Sequence, residues 1–147
     1  MNPSIEIVGN IICAFFISIA AYGAIKQKKE ILLFGVCFFS TLPIIGELLA
    51  YAEDDNLLHL VIVMVFLVQV VITLPINVKY DVDNPAAVAL SQKIGLAILV
   101  ANLCQGYLVL NTELGVPHQF GYFHLAVVMI LMYAVIIVPR KRNMHWK

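Results

Sequence analysis

The stretch Gly46-Glu47-Leu48-Leu49-Ala50-Tyr51-Ala52-Glu53-Asp54-Asp55-Asn56-Leu57-Leu58-His59 decides how the chain is built. A tight acidic turn, Glu53-Asp54-Asp55-Asn56, separates two long apolar runs. Glu47 precedes the turn and His59 follows it, each inside apolar sequence. Two helices joined by so short a turn lie antiparallel and side by side. Outward from this hairpin the pattern repeats. Apolar runs of about 20 residues, enough to cross about 30 Å of hydrocarbon, alternate with short polar joints.

Composition agrees. The chain has 147 residues, 62% hydrophobic and 12% charged, with a mean hydropathy of +0.94. A soluble domain carries roughly 25% charged residues. A chain of this size also has too small an interior to hide that much apolar surface. Lipid is the natural solvent for the excess. The expected fold is all-α: a single polytopic membrane domain, 1–147, built as a bundle of five transmembrane helices.

The expected spans are 5–25, 31–51, 57–78, 94–110 and 120–138. The first has no basic residues before its apolar core, unlike a secretory signal, and reads as a retained helix. Its end, Ala20-Ala21-Tyr22-Gly23-Ala24, is rich in small residues and suits close helix contact. Pro43 should kink the second span. Asp55 or Asn56 suits the N-cap of the third. Asn84-Pro85 resembles a cap followed by proline at the first helical position, so the fourth helix should start near Pro85 and enter lipid around Ile94. Ala97, Ala101 and Gln105, spaced by four with Asn102 alongside, predict the packing face of that helix. Pro139 should end the fifth.

Charge sets the expected topology. With the N-terminus outside and the C-terminus cytoplasmic, the inner ends hold Lys26, Lys28, Lys29, Lys79, Lys93, Arg140, Lys141, Arg142 and Lys147, which are all nine basic residues. The inner acids are Glu30, Asp81 and Asp83; the other six, Glu6, Glu47, Glu53, Asp54, Asp55 and Glu113, fall outside. That is a positive-inside pattern. The expected location is a bacterial-type plasma membrane.

Polar residues that cost most in lipid are the candidate site. Glu47 lies about six residues from the acidic turn, roughly 9 Å deep at 1.5 Å per residue. A charge at the bilayer centre costs about 2.5 to 3.5 kcal/mol on insertion scales, less near the edge. His59 and His124 fall at similar depth and His118 just above. Glu47, His59, His118 and His124 are therefore the candidate metal ligands, since imidazole with carboxylate suits zinc or a similar divalent ion. His59 and His124 are the candidate axial pair for a haem. Glu53, Asp54, Asp55 and Glu113 form the rim.

A deeper set, Gln69, Asn102 and Gln105 with Asn10 and Ser18, should hydrogen-bond between helices. The cysteines Cys13, Cys37 and Cys104 lie in apolar runs without metal spacing and read as buried, inert thiols. The acidic turn lacks the spacing of an EF-hand loop, and no GxSxG, HExxH or glycine-rich phosphate loop occurs. The basic residues are short flanks suited to anionic lipid heads, which excludes nucleic acid as a partner.

Three functions fit these features. The leading one is a non-catalytic subunit or scaffold of a larger membrane assembly, partnered by lipid and by other membrane subunits or further copies of itself. The second is cation or proton transport or sensing through the outward Glu/His site. The third is a redox subunit holding haem or a metal.

Overall fold

The computed structural model of the chain describes residues 3–75, 85–111 and 116–137. Every regular element among them is helical: α1 (Pro3–Ile25), α2 (Lys29–Asp54), α3 (Leu57–Thr73), α4 (Pro85–Asn111) and α5 (Gln119–Met132). A π-helical turn, Tyr133–Ile137, continues α5. Four of these helical segments, Glu6–Ile25, Lys29–Asp54, Ala89–Asn111 and Gln119–Ile136, are long and apolar enough to cross a membrane. The protein is a helical membrane protein.

The turns follow from local chemistry. Gln27 reverses the chain after α1 in a left-handed conformation, φ 55°, with Lys28 N–H donating to Gly23 O at 2.8 Å. Asp55 does the same after α2, φ 55°, with its N–H donating to Tyr51 O at 2.9 Å. Asn56 is the N-cap of α3: its Oδ1 accepts from Leu58 N–H at 3.0 Å. That bond satisfies one of the donors a helix start leaves open.

The third helix corrects the expected span of 57–78. It ends at Thr73, and Leu74 adopts φ −53°, ψ 121°. Leu74 precedes Pro75, whose ring disfavours helical backbone in the residue before it. At 17 residues α3 is about 25 Å long, short of a full crossing. Pro43, in contrast, lies inside α2, which runs on through it to Asp54. The expected stop at Pro139 lies outside the described residues.

Small residues set the closest approaches. α1 packs on α2, α2 on α3, α4 on α5, and α5 back on α1. Ala20 and Ala24 are fully covered. A Cβ on Gly35 would sit 2.5 Å from Ala20 N and 2.7 Å from Phe16 O, so only glycine lets these backbones meet. On the other side of the bundle, Gly106 and Gly121 face each other, and a Cβ on either would lie 3.0 to 3.1 Å from the other's carbonyl oxygen. Between these contacts sits a core of Cys13, Leu32, Val36, Phe39, Ile98, Val127 and Leu131. In lipid such packing replaces the hydrophobic effect as the force between helices.

Two further expectations change. The inward face of α4 is Ile98, Asn102, Gln105 and Val109, with Gly95 and Gly106, while Ala97 points outward. A run spaced 4, 3 and 4 follows the true helical period, whereas a strict spacing of four drifts around the helix. Cys104 lies on the outer surface of α4, while Cys13 and Cys37 are buried.

Candidate functional site

Among the described residues, two polar clusters sit inside the bundle. The first is built by the α2–α3 hairpin. Glu47 and Asp54 are seven residues apart, two turns, so they share one face of α2. The turn at Asp55 then places His59, in the first turn of α3, against that face. His59 Nδ1 lies 2.5 Å from Glu47 Oε2, and its Nε2 lies 3.1 Å from Asp54 Oδ2. Glu47 is 2% exposed and His59 4%, whereas the Asp54 side chain is 51% exposed. The cluster therefore runs from a covered carboxylate, through the ring, to a carboxylate open at the turn of the hairpin. Asp54 Oδ1 also accepts from Asn56 N–H at 2.9 Å, which fixes its orientation.

Proton counting constrains this cluster. A neutral imidazole has one N–H and one acceptor nitrogen. Here both nitrogens meet carboxyl oxygens. Either the ring is an imidazolium donating to two carboxylates, or a neutral ring donates to one while the other carboxyl donates to it. Both arrangements hold two protons among three groups, with a net charge of −1. Losing one proton breaks a hydrogen bond and leaves two negative charges close together.

The second cluster lies deeper and joins four helices. His124 Nδ1–H donates to Asn102 Oδ1 at 3.1 Å. Asn102 Nδ2 donates to Gln69 Oε1 at 3.1 Å and to Ile98 O at 2.9 Å. Gln69 Nε2 donates to Ser40 Oγ at 2.6 Å, and Ser40 donates to Val36 O at 2.7 Å. All four side chains are buried. Because Asn102 Nδ2 spends its protons on two oxygens, its Oδ1 must accept, so His124 carries a proton on Nδ1. The ring packs edge-on to Phe39, centroids 5.1 Å apart, and lies 5.6 Å from Phe66.

The structure thus brings Glu47 and His59 together and gives His124 and His118 other partners. His118 is exposed at the start of α5, its Nδ1 3.3 Å from Leu110 O. Among the described residues no three His, Cys, Asp or Glu side chains are placed to hold a metal ion. Both His59 nitrogens lie within hydrogen-bond distance of carboxylate oxygens. Of the rim residues, Glu53 and Asp55 are exposed, and Glu113 lies outside the described residues.

Sequence reasoning placed Asp54 on the rim and missed it as a direct partner of His59; its seven-residue spacing from Glu47 was the available signal. Ser40 and the His124–Asn102 bond were also missed. Ser18 bonds within its own helix, to Ala14 O at 2.7 Å. Comparison of the chain with known protein families, with curated proteins and with solved structures finds no match.

Proposed function

We propose that the protein exchanges protons at its outer end through Glu47, His59 and Asp54, and serves proton transport or proton sensing. The observation that carries this is the imidazole held at both nitrogens by carboxylates, one covered and one open. A proton arriving at Asp54 meets a group bonded to the ring, and the ring is bonded to Glu47. Changing the proton count changes how many bonds tie α3 to α2, so protonation is coupled to hairpin packing. The orientation that goes with this reading has the N-terminus outside, five crossings and all nine basic residues cytoplasmic, in a bacterial-type plasma membrane.

Infrared difference spectra of protein in lipid vesicles, recorded across an outer pH step, test it. A carboxyl band should appear on acidification and be lost in Glu47→Gln. Identical spectra for the two proteins would end the proposal.

A second reading is a non-catalytic subunit of a larger membrane assembly, and the outward face of α3 favours it. Leu57, Val61, Met64, Val68 and Val71 form a continuous apolar stripe, each more than half exposed. Lipid or a neighbouring membrane helix, from another subunit or a second copy, would cover it.

A further inference from the structure

Gln105 is the one side chain of the inward α4 face whose chemistry is unaccounted for. It is 8% exposed, and among the described residues neither its Nε2 nor its Oε1 has a hydrogen-bond partner. Asn102, three residues earlier on the same face, makes every bond its amide nitrogen can make. A buried amide left unpaired loses the hydrogen bonds it made to water and gains nothing in return. Such groups in a native fold call for an explanation, and a bound water is one that supplies both donors and acceptors.

A third orphan lies at the same level. Asn10 Oδ1 on α1 is covered and without a partner among the described residues. Asn10 is seven residues inside Pro3, Gln105 six inside Asn111, and His124 five inside Gln119. These place all three roughly 7 to 11 Å from the helix ends on that side of the bundle. α5 packs against both α1 and α4. Gly106, next to Gln105, faces His124 closely: a Cβ there would sit 3.1 Å from His124 Cβ. Above this layer, Gln119 Nε2 donates to Glu6 Oε1, tying the outer ends of α5 and α1. The layer therefore offers two amide protons and two carbonyl oxygens, set below a polar rim.

We propose that ordered water occupies the outer half of the α1–α5–α4 side of the bundle, held by the Gln105 amide and the Asn10 carbonyl and adjoining His124. A buried water takes two to four polar partners, and donors together with acceptors are what it requires. The hydrated layer gives His124, otherwise walled by Phe39 and Phe66, a contact with the outer phase. It is separate from the Glu47–His59–Asp54 cluster on the opposite hairpin and stands without it.

The test is nuclear magnetic resonance of the full chain in lipid nanodiscs. In the unaltered protein, magnetisation should pass from water to the Gln105 Nε2 protons. In Gln105→Leu, exchange of the His124 Nδ1 proton with heavy water should slow by about tenfold or more, because exchange then waits for local opening. If Gln105→Leu does not fold, Gln105→Met, of similar length, replaces it. No transfer from water to Gln105 in the unaltered protein overturns the site. Unchanged His124 exchange in the substituted protein overturns its contact with His124.

Discussion

The two polar clusters solve the same problem in opposite ways. The inner one, His124–Asn102–Gln69–Ser40, is neutral and directional: each donor has its acceptor and the chain ends on a backbone carbonyl. The outer one, Glu47–His59–Asp54, is charged, and its proton positions are not set by its geometry. The inner cluster joins four helices that are distant in sequence. The outer one closes within a single hairpin of 13 residues, Glu47 to His59. A bundle in lipid needs the first kind to hold its helices in register. It has no structural need of the second, since a hairpin with a capped turn is already closed. That surplus is the argument for assigning chemistry to the outer cluster and architecture to the inner one.

The largest expected effect separates them directly. His59→Ala leaves the Glu47 carboxylate buried without a partner, at a cost of about 3 to 5 kcal/mol. Thermal unfolding in detergent micelles should show the loss. Two controls sharpen it. The deficit should shrink in acid, where a protonated Glu47 is cheaper to bury. The double change Glu47→Met with His59→Leu should recover most of it, because removing both members of a buried pair is often close to neutral. A single variant as stable as the original would mean that Glu47 reaches water, and the contrast between the clusters would fail.

The same contrast explains what could be read before the structure was known. Helix number and approximate position follow from runs of apolar residues, a property of local sequence. So do the Asn56 cap and the start of α4 at Pro85. Glu47 and His59 were legible as neighbours because a short turn forces the pairing. The inner cluster was only half legible. Gln69, Asn102 and Gln105 stood out as costly amides, but among the described residues Gln69 and Asn102 have side-chain partners and Gln105 has none. The partners lie 22 to 33 residues away along the chain. Their pairing depends on helix rotation, which glycine contacts such as Gly35 with Ala20 determine. The error at Ala97 comes from a strict spacing of four, which drifts around the helix, whereas the inward face of α4 follows the 4, 3, 4 period of Ile98, Asn102, Gln105 and Val109. The end of α3 was misjudged for a different reason: apolarity continues through Pro75, and the backbone does not.

A middle-sized effect probes the inner cluster. Asn102→Leu removes the link between α4, α5 and α3, leaving His124 Nδ1–H and Gln69 Oε1 unpaired. The expected cost is about 1 to 3 kcal/mol. Unlike His59→Ala, the change leaves no buried charge behind, so acid should not rescue it. The unfolding midpoint should fall by a similar amount at neutral and mildly acidic pH. A deficit that acid erased would show that the inner chain is ionised and would collapse the distinction drawn above.

The smallest expected effect concerns the turn that makes the outer cluster local. Asp55 holds a left-handed backbone, φ 55°, that costs a residue with a Cβ roughly 1 to 2 kcal/mol. Glycine adopts it freely but loses more entropy on folding, which returns part of that gain. Asp55→Gly should therefore raise stability by about 0.5 to 1 kcal/mol while leaving the Glu47–His59 and His59–Asp54 bonds in place. Melting the variant measures the first half, and the infrared carboxyl band measures the second. If stability rose and the band changed as well, the side chain of Asp55 would belong to the proton-binding set, which would then extend past the hairpin interior onto its exposed edge. An unchanged band would confine the chemistry to the three residues that touch, and the turn would have no role beyond bringing α3 back against α2.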